Sequence, residues 1–255
     1  MFLRRFISNM KNRDWGFVVA ELLIVVAGVF FGIQAANWNA DRLEQEEGRM
    51  ISERLLVDLR KDLASRQMLV RYYQAVFEAA ERTLPRLMAE SVDDPLAFVI
   101  DAYRATELAY RPATRTTYDE IVSTGSLGLV PPEARRAGFA DYYRNDFSLL
   151  ARNTFRVSEY RRRVRRSLPY EIQAAIREKC GDLRNERFEI IGFNNDCELG
   201  IPAEKMDQAA AILRSDPELL GDLRILFSEL TGTPNSIRGE VVILEASIRA
   251  LENST

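Results

Sequence analysis

Glu21 is the one ionisable residue in a twenty-residue apolar run, FVVAELLIVVAGVFFGIQAA, from Phe17 to Ala36. A carboxylate in such a setting hydrogen-bonds to a neighbouring helix, carries protons, or extends its side chain to the nearby lipid–water boundary. At 100° per residue, Glu21, Gly28, Gly32, Ala35 and Ala36 fall in one narrow sector of a helix. Gly28 and Gly32 form a GxxxG, which lets two helix backbones approach closely in lipid. Gln34 is the second polar residue of the run and a further candidate for contact there. Two readings stand for this face: a helix–helix contact centred on Glu21, or glycines that are simply common in such helices and a glutamate that reaches the interface.

Two other groups of residues could do chemistry. Cys180 and Cys197 are the only cysteines. In an oxidising compartment such a pair forms a disulfide, closing a loop for about 3 kcal/mol of chain entropy; in a reducing one it would be two buried thiols. Arg156, Arg161, Arg162, Arg163, Arg165 and Arg166 place six arginines in eleven residues. Such a cluster either contacts anionic lipid or an acidic partner, or is a basic helix end paired with Glu159 and Glu171 and favoured by the helix dipole.

Catalytic patterns are missing. The chain contains no histidine, so it lacks the commonest general base and zinc ligand. No phosphate-cradling glycine loop, GxSxG or HExxH occurs, and Gly125-Ser126-Leu127-Gly128 is not followed by Gly-Lys-Ser/Thr. Neither a catalytic residue, a cofactor site nor a metal site is assigned. A net charge of −3 disfavours a nucleic-acid partner.

The elements that carry these residues follow from length and periodicity. Twenty residues at 1.5 Å span about 30 Å, the thickness of a bilayer's hydrocarbon core. Trp15 and Trp38 flank the run as interfacial aromatics do. A cleaved signal peptide has a shorter core before its small-residue site, which Ala35-Ala36 keeps open as an alternative; a run apolar on all faces near the start makes a transmembrane helix the expectation. Arg4, Arg5, Lys11 and Arg13 precede it, against Arg42 and Arg49 just after it, which places the N-terminus in the cytoplasm.

From Asp41 a helix is predicted to about Leu84, with Leu55, Leu59, Leu63, Leu69, Tyr73, Phe77 and Ala80 as its apolar stripe and Pro85 bending or ending it. Further helices are predicted over 95–109, 116–124, 132–167, 169–179, 203–214, 217–230 and 234–252, the first opening on Asp93-Asp94 as acidic cap residues. Arg187–Phe193, RFEIIGF, followed by Asn194-Asn195-Asp196, marks a candidate short β-hairpin between the cysteines.

Glu21, Gly28, Gln34 and Asn37-Trp38-Asn39 together resemble the N-terminal signature of an uncharacterised family of bacterial single-span membrane-anchored proteins. The blocks Asp58–Leu63, Thr117–Leu127 and Arg135–Tyr143 are similar as well, whereas Ala20 stands where that family has glycine. The resemblance implies one span and a helical exported region, and brings no activity with it.

The expectation is thus an all-α protein: a cytoplasmic basic segment 1–15, a transmembrane helix 16–38 continuing into a long helix, and an exported helical domain 39–255 with a hairpin insertion. It would be a non-enzymatic subunit of the bacterial inner membrane, with the domain in the periplasm. Its partners would be the bilayer and either further copies of itself or another membrane protein. The alternative is an ion-coupled subunit in which Glu21 titrates.

Overall fold

No helix breaker stands between Trp38 and Pro85 except Gly48, and the first helix, α1, runs Trp15–Met88 without interruption. The computed structural model describes residues 15–254. The chain divides into two units, Met1–Ile51 and Ser52–Thr255, and α1 contributes to both. Arg4, Arg5, Lys11 and Arg13, on which the orientation expectation rests, lie outside the described residues.

In the first unit Phe17–Ala36 is helical, and Trp15 and Trp38 are exposed. Among the described residues α1 is the one helix long and apolar enough to cross a membrane; its most apolar window has a mean hydropathy of 2.5 and is 0% buried. That lack of burial separates it from the core helix of a soluble protein.

In the second unit the order is α2 (Pro95–Arg104), α3 (Thr116–Thr124), a 3₁₀ turn (Ser126–Leu129), α4 (Pro132–Ala137), α5 (Phe139–Arg144), α6 (Phe147–Val157), α7 (Glu159–Ser167) and α8 (Tyr170–Lys179). There follow β1 (Asp182–Arg184), β2 (Ile190–Phe193), α9 (Ala203–Ser215) and α10 (Leu219–Glu252). The fold is all-α with one two-stranded sheet. Leu55, Leu59, Leu69, Tyr73 and Ala80 of the predicted stripe are fully buried, whereas Leu63 and Phe77 are partly covered. Leu69, Tyr73 and Ala80 join a core built from Phe98, Tyr103, Tyr160, Leu213 and Leu223, with Phe77 packed against it. α9 packs on α2, and α10 packs along α4, α5, α6 and α7.

Several boundaries differ from the periodicity reading. Pro85 does not stop α1, which continues to Met88, because a proline in the last turn removes a single hydrogen bond. α2 ends at Arg104 rather than 109; Thr106 turns back, its N–H and Oγ1 both donating to the Tyr103 carbonyl. The one long helix expected over 132–167 is four. Gly138 adopts φ +93°, Asp146 caps α6 through the Leu149 N–H at 2.9 Å, and Ser158 turns extended. None of these breaks involves proline, so apolar spacing alone runs through them. Conversely the two helices expected at 217–230 and 234–252 are one. Pro234 is buried inside it, and Leu230 and Ile237 on either side are in the core, so packing offsets a local cost of about 3 kcal/mol.

Asp94 caps α2 by accepting the Ala97 N–H at 2.9 Å. Asp94→Ala is expected to cost about 1 kcal/mol, read as a shifted urea midpoint with unchanged slope.

The hairpin is real but differently phased. Asp182 pairs with Phe193, Leu183 with Gly192 and Arg184 with Ile190, with a bulge between Leu183 and Arg184. RFEIIGF supplies the second strand and part of the turn, whereas Asn194-Asn195-Asp196 follows the sheet. The connection is organised by Asn185, whose Oδ1 accepts the N–H groups of Arg187 and Glu189. It carries Phe188 at φ +60°, an uncommon conformation for a bulky side chain, on the surface.

Candidate functional site

The structure places each residue singled out above in a distinct setting. Glu21, Gly28, Gly32 and Gln34 are all exposed on α1, and a methyl group added at Gly28 or Gly32 would meet nothing within 4 Å. Glu21, Gly28 and Gly32 share one face; on an ideal helix Gln34 lies about 140° round from Glu21 and belongs to another.

Cys180 ends α8 and is bridged to Cys197, with Cα atoms 5.3 Å apart, closing the hairpin at its base. The hairpin is also held by side chains. Arg104 donates to the carbonyls of Asn194 at 2.9 Å and Cys180 at 3.2 Å and lies over the Phe193 ring. Tyr72 donates to Asp182 Oδ1 at 3.0 Å.

The arginine cluster resolves into separate contacts along α7. Arg163 sits among Asp222 and Glu218 at 2.5 Å and Asp216 at 3.5 Å. Arg165 reaches Glu107 at 2.9 Å and Thr106 Oγ1 at 3.0 Å, over the Tyr103 ring. Arg161 donates to the Thr106 carbonyl and Arg162 pairs with Glu159 on the surface. Arg166 is exposed and has no ion pair among the described residues. Most of the cluster therefore ties α7 to the 105–109 turn and to the start of α10. Its acidic partners are Glu107, Asp216, Glu218 and Asp222 as well as the expected Glu159, because they come from elsewhere in the chain; Glu171 pairs instead with Lys205.

Sequence reading missed the densest polar assembly. Arg66 of α1 is fully buried and donates from Nε to Glu240 Oε2 of α10 at 2.6 Å and from Nη1 to the Arg111 carbonyl at 2.8 Å. Glu240 Oε1 accepts the Phe147 N–H at 3.2 Å. One turn before Arg66, buried Asp62 accepts the Thr114 N–H at 2.9 Å and the Tyr142 hydroxyl at 3.0 Å. Asp58 accepts the Thr117 N–H at 3.2 Å, and Arg54 grips Glu120 with two bonds of 2.7 and 2.9 Å. The stretches Asp58–Leu63, Thr117–Leu127 and Arg135–Tyr143 thus meet in one place. Tyr118 and Tyr143 stack at 4.5 Å beside them.

The assembly suits holding elements together better than proton transfer. Burial pushes the phenols of Tyr142 and Tyr143 far above the ordinary tyrosine value. Burial also raises Asp62, against the hydrogen bonds from Thr114 and Tyr142 and the charge of Arg66. Glu240 is pushed up to about 7 by burial, opposed by Arg66 and the Phe147 N–H. Among the described residues no group of three or more Cys, Asp or Glu side chains could hold a metal ion.

Comparison with family models, curated proteins and solved structures returns no match.

Proposed function

We propose that the protein is anchored in the bacterial inner membrane by Phe17–Ala36, with the basic N-terminus cytoplasmic and the helical domain in the periplasm. It acts there without catalysis, as an oligomeric or accessory subunit working through protein–protein contacts. The observation that carries this reading is the pairing of an uncovered apolar helix with a disulfide in the same chain. The first needs lipid or a partner around it, and the second persists on the oxidising side of a membrane. The face bearing Glu21, Gly28 and Gly32 is the natural contact surface, since small residues admit a second backbone and a carboxylate in lipid seeks a polar partner.

The test is isolation of the full chain in mild detergent with mass measurement of the intact assembly. A discrete oligomer or a stable co-purifying membrane protein is expected, and Gly28→Leu/Gly32→Leu should reduce its recovery roughly tenfold, as steric exclusion from a close helix contact requires. A lone monomer, or recovery untouched by the substitution, overturns the reading. Topology is checked separately: a C-terminal tag should be digested in spheroplasts and the chain should stay in the membrane after carbonate.

A second reading is favoured by one observation, that the apolar run contains a single carboxylate. It makes the chain an ion-coupled subunit. Glu21→Gln separates the two, because Gln still hydrogen-bonds and preserves the assembly but cannot release a proton. Loss of proton uptake by the reconstituted complex with assembly intact supports ion coupling.

A further inference from the structure

The backbone of Arg111 is pinned from inside the domain, its carbonyl accepting from Arg66 Nη1 at 2.8 Å and Ser148 Oγ at 2.9 Å. Its side chain lines a groove of about 310 Å³ between α1 and the hairpin. Lys61 and Arg71 of α1 and Arg187 of the turn complete a wall of four cations, and Glu189 is its one carboxylate. Met68, Ile190 and Ile191 give the same groove an apolar side.

These charges are not balanced within the chain. Among the described residues Lys61, Arg71 and Arg187 have no carboxylate within ion-pair distance, and Arg111 reaches Glu189 only at 4.0 Å. Glu189 is itself engaged, accepting from Asn185 Nδ2 at 2.9 Å. That hydrogen bond, then the nearby charges of Arg111, Arg187 and Lys61, hold its carboxyl below the usual range. The contrast with α7 is direct, for there Arg163 alone is met by three acids. Like charges gathered around one concave surface repel, and an anion seated among them removes that repulsion.

We propose that this groove binds a phosphate monoester whose organic part lies along Met68, Ile190 and Ile191. A phosphate dianion brings acceptor oxygens that match guanidinium forks, and its charge answers the excess left after Glu189. The volume is at the lower end of that for small-molecule sites, which suits one phosphate with a short apolar appendage. The phosphate could belong to a soluble ester or to a lipid headgroup, and the two are separable.

The full chain in dodecyl maltoside micelles is titrated calorimetrically with glycerol 3-phosphate, dihexanoylphosphatidic acid and, as the zwitterionic control, dihexanoylphosphatidylcholine. At least one of the two monoesters is expected to bind, more weakly as salt rises, and the control is not. Tighter binding of the phosphatidic acid assigns the site to a lipid headgroup; equal binding assigns it to a soluble ester. Arg71→Glu/Arg187→Glu should weaken binding roughly tenfold or more, and Glu189→Gln should tighten it by removing the competing carboxylate. Because Arg71 and Arg187 are exposed, an unchanged melting temperature shows that the variant is folded. Binding of neither monoester, or equal affinity in the charge-reversed variant, overturns the proposal. It is independent of the membrane-contact reading, which fails or stands on assembly mass.

Discussion

Arg66→Ala is expected to destabilise the domain by about 3–5 kcal/mol, the largest effect of any single substitution considered. The guanidinium is fully buried and bonds two groups: the Glu240 carboxylate, of which it is the one charged partner among the described residues, and the Arg111 carbonyl. Removing it leaves the buried Glu240 carboxyl with the Phe147 N–H alone, and a backbone acceptor losing one of its two donors. For a domain of this size that is a melting temperature lower by roughly 10 °C, at about 2–4 °C per kcal/mol. Arg66→Met/Glu240→Leu should recover most of the loss, because a buried ion pair exchanged for apolar side chains of similar volume is often neutral or stabilising. If the single and double variants melt alike, the contact is not the cause.

The same pair gives the domain a pH dependence whose sign can be worked out. With the Glu240 carboxyl at about 7 in the folded chain and an ordinary value near 4.5 in the unfolded one, the folded state keeps a proton that the unfolded state has released between those two values. Stability from this group is therefore full below about pH 4.5, falls as pH rises towards 7, and is level above. Asp62, Glu107 and Asp182, also raised by burial, act in the same direction. Comparing urea midpoints of the wild type and Glu240→Gln at pH 5 and pH 8 isolates Glu240: the variant should lose less stability across the interval. Equal losses would remove Glu240 from the account.

Part of this was legible in the residues and part was not, for reasons that differ by element. The helix through Phe17–Ala36 and most of the α1 stripe are legible locally, the first from an unbroken apolar run and the second from its periodicity. Thr116–Thr124 read to the residue because Gly125 supplies the left-handed cap, φ +72°, that its end requires. The breaks at Gly138, Asp146 and Ser158 escaped since each depends on a cap or a turn that apolar spacing passes over. In the sequence Arg66 is one more charge on an amphipathic helix. What buries it is Glu240, 174 residues away, a partner that no window along the chain contains. The arginine cluster shows the same lesson, for Asp222 is remote from Arg163 in sequence and adjacent in space. The groove around Arg111 is assembled from three separate stretches, and no motif announces it.

Opening the Cys180–Cys197 bridge is the second large effect. The cysteines lie 17 residues apart, and closing a loop of that length restricts the unfolded chain by about 3 kcal/mol. Cys180→Ser/Cys197→Ser should therefore lower the melting temperature by roughly 6–12 °C. Arg104 and Tyr72 also hold the hairpin to α1 and α2, so the folded state should survive with its core packing intact. Dithiothreitol should reproduce the loss in the wild type and add nothing to the double variant. That comparison separates the bridge from the packing of two small side chains, since a reductant changes only the first. Protein isolated from cells under alkylating conditions should show no free thiol. Two alkylated cysteines, with a melting temperature indifferent to reductant, would place the domain on the reducing side and reverse the topology proposed for the chain.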